Sequence, residues 1–398
     1  MKYVIILGDG MADEPIGALG GKTPLQVANK PVINSLAKKG EVRLCKTIPD
    51  GMKPGSDTAN LSVLGYDPAV YYTGRSPLEA ASIGIDLSDT SVTLRANLVT
   101  LSNEEVYEDK TILDYSAGEI STAEAKELIE YLAKHLNDEV YSLYSGVSYR
   151  HCLVIENGKA VNDLTPPHDI TGKKIKEYLP KGQCAEKYLS LMKTSHELLK
   201  NHPVNLRRIE NGKNPANSLW FWGEGTKPKL DAFKEKFNLD GAMISAVDLL
   251  KGIAKLSGMK NLDIDGATGT YETNFLGKAK ACCDALNSGT DLVYLHMEAP
   301  DECGHQGDLE HKIYSIEQID KVTEYILNNV DGEFSLLIMP DHPTPIAIKT
   351  HTATPVPYLI YRSNEVLSGA NGYDEQTAKN SGIFVEKGHE LILRFLQK

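Results

Sequence analysis

The stretch Asp291-Leu-Val-Tyr-Leu-His-Met-Glu-Ala-Pro-Asp301-Glu-Cys-Gly-His305 decides the fold class of this chain. It begins with an apolar run at residues 292–295, which is typical of a buried strand, and a polar cluster follows directly. A second apolar run, at residues 334–339, is likewise followed by Pro340-Asp-His-Pro-Thr-Pro345. Continuous apolar strands are typical of parallel sheets that are covered on both faces. The stretch therefore predicts an α/β fold.

Further apolar runs at residues 3–7, 218–222 and 242–245 alternate with helix-like segments, including one that starts at Thr23-Pro24 and continues to Lys39. This alternation predicts a doubly wound, mainly parallel sheet. From about residue 88 the pattern changes to alternating strand segments separated by polar turns. We therefore expect a core domain of residues 1–87 and 216–398, and an inserted α+β cap domain of residues 88–215.

Three histidines and two aspartates follow the apolar runs at residues 292–295 and 334–339. They are Asp301, His305, Asp341, His342 and His351. Side chains at the carboxyl ends of neighbouring parallel strands converge on one crevice. Imidazole and carboxylate groups suit divalent cations such as Zn²⁺ and Mn²⁺, and five of them exceed the needs of one tetrahedral ion. The pattern predicts two metal ions. The alternative is that Asp301 and His305 cap a helix and that Asp341-His342 is a polar turn.

Ser56 stands near the predicted start of a helix that runs to about Leu64, directly after Gly55. Glycine supplies unusual backbone angles, and a helix N-terminus offers free N–H groups to an anion. Ser56 is therefore a candidate nucleophile, provided that a base or a metal lowers the pKa of its hydroxyl. The alternative is that Ser56 is only the N-cap residue of the helix.

Two arginines, Arg95 and Arg150, stand on strand-like runs of the inserted segment, and His168 stands in a Pro-rich loop of the same segment. Arginine suits two-point contacts with carboxylate and phosphate groups, although a surface arginine is usually only solvated. For His168, a binding loop and a simple turn are equally compatible with the sequence.

The net charge of −12 argues against nucleic acid or an anionic membrane surface as a partner, because both require clustered Lys and Arg. The apolar run at the amino terminus is too short for a signal peptide or a membrane span. We expect a cytoplasmic protein. The sequence leaves the choice between a monomer and a homo-oligomer open.

Taken together, the motifs Asp9-Gly10, Pro-Gly-Ser56-Asp-Thr-Ala-Asn, Ala-Pro-Asp301-x-x-x-His305, Asp341-His342-x-Thr-Pro and His351 resemble those of the alkaline phosphatase superfamily. Within it, the chain resembles the archaeal-type cofactor-independent phosphoglycerate mutases. The likeness extends nearly over the whole chain and includes Tyr-Tyr-Thr-Gly-Arg75-Ser-Pro and Gly-Val-Ser-Tyr-Arg150-His.

The resemblance implies that one divalent ion is held by Asp9, Ser56, Asp341 and His342, and a second by Asp301, His305 and His351. The ions of this family are Mn²⁺, Zn²⁺ or Mg²⁺. The implied reaction interconverts 3-phosphoglycerate and 2-phosphoglycerate through a phosphoserine at Ser56, without 2,3-bisphosphoglycerate. The implied partner is this small phosphorylated carboxylate, and its anionic groups would be bound by Arg75, Arg95, Arg150 and His168.

One departure concerns Pro343, because many relatives read Gly-Asp-His-Ser-Thr-Pro where this chain reads Pro-Asp-His-Pro-Thr-Pro. This variant occurs in a branch for which homoserine phosphorylation has been proposed. A homoserine kinase-like phosphotransferase and a phosphate-ester hydrolase therefore stay open as alternatives. A non-enzymatic binding protein would lack a ligand or the nucleophile, and this chain lacks neither.

Overall fold

The computed structural model describes residues 1–160 and 162–397, and it divides the chain into two compact units. The first unit consists of Met1–Tyr72 and Lys229–Lys398, and the second is Thr73–Pro228. The second unit begins before residue 88, because the helix at Ser76–Ser82 packs on the strand at Val92–Leu101. It ends after residue 215, because the strand at Ser218–Thr226 pairs with that same strand. The boundaries expected from the sequence thus fall inside this unit.

The strands and helices are numbered in chain order. The strands are β1 (Lys2–Gly8), β2 (Glu41–Cys45), β3 (Val92–Leu101), β4 (Ile112–Asp114), β5 (Tyr141–Tyr144), β6 (Arg150–Ile155), β7 (Asn162–Asp163), β8 (Lys181–Gly182), β9 (Ser218–Thr226), β10 (Gly241–Ile244), β11 (Lys260–Asn261), β12 (Leu292–Met297), β13 (Phe334–Met339), β14 (Val356–Arg362) and β15 (Phe384–Val385). The helices are α1 (Pro24–Val27), α2 (Pro31–Ala37), α3 (Ser56–Val63), α4 (Pro68–Tyr71), α5 (Ser76–Ser82), α6 (Thr122–Leu136), α7 (Ala185–Leu199), α8 (Pro203–Glu210), α9 (Phe233–Phe237), α10 (Asp248–Leu256), α11 (Phe275–Asn287), α12 (Ala299–Gln306), α13 (Leu309–Asn329), α14 (Glu375–Asn380) and α15 (Leu391–Leu396). Short 3₁₀ turns lie at Gly17–Leu19, Tyr107–Asp109, Pro167–Ile170, Ile175–Tyr178 and Gly388–Glu390.

Among the described residues, no helix has the length and apolar character that a membrane crossing requires.

The first unit is built on an eight-stranded sheet in the order β11-β10-β12-β1-β13-β14-β2-β15. Its strands are parallel except for β14, which runs antiparallel to both of its neighbours. Every residue of β12 and β13 is buried, as a sheet covered on both faces requires. The prediction of an α/β fold with a mainly parallel sheet is confirmed.

One predicted helix of the first unit is divided into two. Thr23 caps α1 as expected, and its hydroxyl accepts a hydrogen bond from the backbone N–H of Gln26. The helix ends at Val27, and α2 begins at Pro31. Proline disfavours helical angles at the residue before it and cannot donate a hydrogen bond, so the prediction of one continuous helix from Thr23 to Lys39 was wrong.

The second unit contains a five-stranded antiparallel sheet in which β3 is central and pairs with β4, β6 and β9, while β5 pairs with β6. All ten residues of β3 are buried. The helices α6 and α7 contribute buried apolar side chains, among them Leu128, Leu132 and Met192, to the core that covers this sheet. This unit thus has the α+β composition that the sequence predicted for the inserted segment.

Candidate active site

Three aspartates of the first unit meet at the carboxyl edge of its sheet. Asp9 follows β1, Asp341 follows β13, and Asp301 lies on α12, which follows β12. These strands are hydrogen-bonded neighbours, and the backbone N–H of Asp9 donates to the carbonyl of Met297 at 2.9 Å. Gly10, which follows Asp9, has a φ of +59°, and a Cβ at this position would lie 2.5 Å from Oδ1 of Asp301. The close approach of Gly10 to α12 therefore requires glycine.

Asp301, His305 and His351 form the first group of potential metal ligands. Nε2 of His305 lies 3.2 Å from Oδ2 of Asp301 and 2.9 Å from Nε2 of His351. Nδ1 of His305 lies 3.0 Å from the carbonyl oxygen of Lys349, which can only accept a hydrogen bond. Nδ1 therefore carries a hydrogen, and Nε2 is the ring nitrogen that faces the group, where it donates to the Asp301 carboxylate as long as the ring is protonated. A hydrogen bond from the other ring nitrogen to a carbonyl is the usual arrangement of a metal-binding histidine.

Ser56, Asp9, Asp341 and His342 form the second group. Nε2 of His342 lies 3.1 Å from Oγ of Ser56, 3.2 Å from Oδ2 of Asp341 and 3.5 Å from Oδ1 of Asp9. His342 and Asp341 are completely buried. Asp9, Asp301 and His342 also offer ligand atoms that lie within 4.8 Å of one another, so Asp301 lies between the two groups.

The tautomer of His342 follows from Thr344. The Thr344 hydroxyl donates its single hydrogen to the Asp301 carboxylate, and its oxygen lies 3.3 Å from Nδ1 of His342. A hydroxyl that has used its hydrogen can only accept, so Nδ1 of His342 donates. The lone pair of Nε2 therefore faces Ser56.

The electrostatics of these groups fit divalent cations. Burial, together with the charges of Asp341 and Asp301, raises the pKa of Asp9 well above its ordinary value. Oδ1 of Asp9 is buried and has no hydrogen-bond partner among the described residues. Burial disfavours charge at His305, but the hydrogen bond to Asp301 outweighs it and raises the pKa of His305 to about 9. Clustered carboxylates and inward-facing imidazole nitrogens are the donor set that Zn²⁺ and Mn²⁺ bind.

Ser56 is the first residue of α3, and the N-cap position belongs to Gly55. The side chain of Ser56 contacts His342, so the alternative that it is only the N-cap residue is wrong. Gly55 has a φ of 176°, which is extended backbone, so the expectation of unusual angles was also wrong. Glycine at position 55 leaves room for the side chain of Asp57, because a Cβ there would lie 2.7 Å from Oδ1 of Asp57.

The capping alternative for α12 does not hold either. The N-cap residue is Glu298, while Asp301 and His305 lie inside the helix, four residues apart, with their side chains directed to the same group. This spacing brings two side chains to one face of a helix.

The four predicted substrate-binding residues all belong to the second unit. Glu79 forms ion pairs with Nε of Arg75 at 2.9 Å and Nε of Arg95 at 3.0 Å. The guanidinium of Arg95 stacks 4.3 Å from the ring centroid of Trp222, and the ring of His168 lies 5.2 Å from Trp222. Arg75, Arg95 and His168 are thus connected through Glu79 and Trp222, which the sequence did not indicate, whereas Arg150 lies 5.5 Å from the ring of Tyr149.

The basic cluster is defined as Arg75, Arg95, Arg150 and His168, and its three arginines act on the carboxylate of Glu79. Burial raises the pKa of Glu79, but the charges of Arg95, Arg75 and Arg150 outweigh it and hold the pKa below its ordinary value. Clustered guanidinium groups of this kind favour the binding of an anion.

Several residues that support the first unit's site were not predicted. His296 contacts Asp9, Asn60 contacts Asp341, and Lys312 donates to the carbonyl of Thr344. Each contact joins residues more than 30 positions apart. The only signal in the sequence was that His296 interrupts an apolar run and that Asn60 stands one helical turn after Ser56.

Comparisons with known proteins show which family the chain belongs to. A family model described as 2,3-bisphosphoglycerate-independent phosphoglycerate mutase matches residues 37–205. The 2,3-bisphosphoglycerate-independent phosphoglycerate mutase of Methanosarcina barkeri is 50% identical over 398 residues, which cover 98% of both chains. The solved structure of the PH0037 protein from Pyrococcus horikoshii has a TM-score of 0.83 and 31% identity, and the match covers 100% of this chain and 96% of that one.

The cofactor-independent phosphoglycerate mutase from Thermoplasma acidophilum is also similar, with a TM-score of 0.65, 27% identity, and coverage of 100% of this chain and 99% of that one. The similarity therefore extends over the whole chain, as the motifs predicted. The chain belongs to the family of 2,3-bisphosphoglycerate-independent phosphoglycerate mutases, which confirms the family resemblance found in its sequence.

Proposed function

We propose that this protein interconverts 3-phosphoglycerate and 2-phosphoglycerate without 2,3-bisphosphoglycerate, and that Ser56 carries the phosphoryl group between the two positions. The observation that supports this most directly is the 3.1 Å distance between Oγ of Ser56 and Nε2 of His342, within a group that also contains Asp9 and Asp341. The relatives named as mutases match nearly the full length of the chain.

In the proposed reaction, Oγ of Ser56 forms a bond to phosphorus, and the bond from phosphorus to the glycerate oxygen breaks. The proton that Ser56 loses is returned to that oxygen, so glycerate is released as an alcohol. The other hydroxyl of glycerate then attacks the phosphoserine and restores the serine hydroxyl. Each half of the reaction is an in-line displacement at phosphorus.

We propose that the two groups of ligands hold divalent cations, Mn²⁺, Zn²⁺ or Mg²⁺. Asp301, His305 and His351 would hold one, and Asp9, Ser56, Asp341 and His342 the other. When bound, such cations supply positive charge that lowers the pKa of a serine hydroxyl and neutralises phosphoryl oxygens. The buried oxygen of Asp9 without a hydrogen-bond partner among the described residues and the inward-facing Nε2 atoms of His305 and His342 support this assignment.

We further propose that residues 73–228 form the substrate-binding domain, a role that the sequence predicted for residues 88–215. Its basic cluster has the charge needed to bind the carboxylate and phosphate of a small dianionic substrate. The proline at position 343 gives no support to a phosphoryl acceptor other than glycerate. Pro343 is buried inside the first unit, where its backbone forms isolated β-bridges with Met11 and Ala12.

The test is to supply the purified protein with 3-phosphoglycerate and Mn²⁺ and to follow 2-phosphoglycerate by coupling to enolase, with no 2,3-bisphosphoglycerate added. Mass spectrometry of the quenched reaction should find phosphate on Ser56, and Ser56→Ala should abolish turnover. The matched control is Ser62→Ala on the same helix, because the buried hydroxyl of Ser62 only donates to the carbonyl of Thr47. Metal-dependent phosphorylation of homoserine, or steady release of phosphate without 2-phosphoglycerate, would overturn the named reaction.

A further inference from the structure

The side chain of Asn60 connects the proposed nucleophile to a proposed metal ligand. Asn60 lies on α3, one turn after Ser56, and it is completely buried. Its Nδ2 lies 2.8 Å from the carbonyl oxygen of Ser56 and 2.9 Å from Oδ2 of Asp341. Both amide hydrogens are therefore used, one on each partner.

The orientation of this amide is fixed by Tyr294 of β12. The hydroxyl of Tyr294 donates to Oδ1 of Asn60 at 2.5 Å, and Tyr294 is completely buried. Burial, with the charges of Asp341 and Asp9, raises the pKa of Tyr294 well above its ordinary value, so its hydroxyl keeps its hydrogen. A carboxylate and a carbonyl only accept, so a flipped amide would lose both hydrogen bonds that Nδ2 donates.

Asp341 is consequently held at both carboxylate oxygens. Oδ1 accepts from the backbone N–H of Gly10 at 3.2 Å and of His342 at 2.9 Å, while Oδ2 accepts from Asn60. No rotation of this carboxylate is possible without breaking one of these bonds. Because Asn60 also holds the carbonyl of Ser56, this one amide links Ser56 directly to Asp341.

We propose that Asn60, oriented by Tyr294, is a positioning residue that fixes Ser56 relative to Asp341. The proposal rests on the proposed function, in which Ser56 accepts the phosphoryl group and Asp341 binds a cation. It assigns the Tyr294–Asn60 pair to the reaction although neither residue contacts the substrate's reacting atoms. Outer residues that orient metal ligands commonly change metal affinity or activity about 10-fold to 100-fold when they are altered.

The chain provides a matched control for a purely structural role. Asn205 in the second unit is also completely buried, and its Nδ2 donates to the carbonyls of Leu199 at 2.9 Å and Ala216 at 2.8 Å. Its Oδ1 accepts from the backbone N–H of Ala216 at 2.8 Å. Asn205 thus makes the same number of bonds as Asn60, but with no carboxylate or nucleophile among its partners.

The experiment compares Asn60→Ala, Tyr294→Phe and Asn205→Ala. For the first two we expect kcat and the rate of Ser56 phosphorylation in a single turnover to fall roughly 10-fold or more, with KM for 3-phosphoglycerate changed less than about twofold. Calorimetric titration of the metal-free protein with Mn²⁺ should show binding weakened by about 10-fold. Asn205→Ala should lower the melting temperature and leave kcat, the rate of Ser56 phosphorylation, KM and Mn²⁺ affinity unchanged.

These measurements distinguish a failure of the positioning role of Asn60 from a failure of the proposed function. If Tyr294→Phe and Asn60→Ala lower only the melting temperature, as Asn205→Ala does, the positioning role is overturned. If Asn60→Ala does not fold, Tyr294→Phe decides alone, since it removes one hydroxyl from an otherwise unchanged ring. If Ser56→Ala stays active, the proposed function fails, and the Mn²⁺ titration still tests whether Asn60 holds Asp341.

Discussion

His296 donates a hydrogen bond from Nε2 to Oδ2 of Asp9 at 2.9 Å, and Oδ1 of the same carboxylate has no hydrogen-bond partner among the described residues. Burial lowers the pKa of His296 well below its ordinary value, so the ring carries one hydrogen. An ionised carboxylate only accepts, so Nε2 carries that hydrogen, and Nδ1 accepts from the hydroxyl of Ser245 at 3.2 Å. This chain of contacts leaves one oxygen of Asp9 available to a cation.

We expect His296→Leu to weaken Mn²⁺ binding by roughly 10-fold to 100-fold, because the carboxylate of Asp9 loses the contact that orients it. Calorimetric titration of the metal-free protein measures this. The control is His196→Leu, which replaces another buried histidine whose Nδ1 contacts the carbonyl of Asn217 in the second unit. Equal Mn²⁺ affinity in the wild type and His296→Leu would show that Asp9 is oriented without this contact.

Metal removal should destabilise the protein as well as inactivate it, because Asp9, Asp301 and Asp341 are buried close together. Exhaustive chelation should abolish turnover, and Mn²⁺ or Zn²⁺ should restore it. A cation that binds only the folded state stabilises it by about 2.7 kcal/mol at 100 times its Kd. Differential scanning calorimetry with increasing Mn²⁺ should therefore show a rising melting temperature. Full activity in protein shown by elemental analysis to be metal-free would contradict the two-cation proposal.

The convergence of Asp9, Asp301 and Asp341, three of the proposed ligands, could be predicted from sequence because they follow apolar runs, and such runs become neighbouring strands. β12, β1 and β13 are adjacent in the sheet, so the side chains after them had to converge. The contacts of His296, Asn60 and Lys312 could not be predicted, since each depends on which distant residue faces it across the fold. The role of Gly55 was misjudged for a similar reason, because its constraint is the nearby Asp57 carboxylate and not its own backbone angle.

Two arginines of the basic cluster, Arg150 and Arg95, should differ in what they contribute to the stability of the second unit. Arg150 is exposed, whereas Arg95 is buried and paired with Glu79. We expect both Arg150→Gln and Arg95→Gln to raise KM for 3-phosphoglycerate about 10-fold, the equivalent of one charge-assisted hydrogen bond. Arg95→Gln should also destabilise the second unit, because it leaves Glu79 with one ion pair fewer.

Steady-state kinetics and urea unfolding of these variants test this difference. The unfolding can be followed by tryptophan fluorescence, since both tryptophans, Trp220 and Trp222, lie in the second unit. The control is Arg207→Gln, which removes an exposed arginine 3.7 Å from Glu127. Unchanged KM in both Arg150→Gln and Arg95→Gln would remove them from the substrate-binding proposal.

Lys312 should be essential for the stability of the first unit. Its Nζ lies 2.7 Å from Oδ2 of Asp13 and also donates to the carbonyls of Ala12 and Thr344. Both members of the ion pair are buried, so Lys312→Met leaves an uncompensated carboxylate and should cost about 3–5 kcal/mol of unfolding free energy. Calorimetry of Lys312→Met and of Lys312→Met/Asp13→Asn measures this, and the double variant should recover part of the loss. Lys234→Met, at an exposed lysine, is the control. A melting temperature for Lys312→Met equal to that of the control would contradict the expectation.

His151 should make the second unit less stable in acid. It lies on β6, its Nδ1 accepts from the backbone N–H of Gly146 at 3.1 Å, and burial, with the charge of Arg150, lowers its pKa to about 3. In the unfolded chain its pKa is about 6.5. Between these values only the unfolded state binds the proton, so stability falls as the pH drops below about 6.5, by at most about 1.4 kcal/mol per pH unit from this residue.

The measurement is the urea midpoint, followed by tryptophan fluorescence at pH 7, 6 and 5, for the wild type and His151→Gln. Other groups contribute to both curves, so the difference between their slopes isolates His151. We expect a flatter dependence on pH for His151→Gln, because no buried imidazole then has to stay neutral. His135→Gln, at an exposed histidine of α6, should keep the wild-type slope. Parallel curves for the wild type and His151→Gln would mean that the buried imidazole is protonated as readily in the folded state as in the unfolded chain.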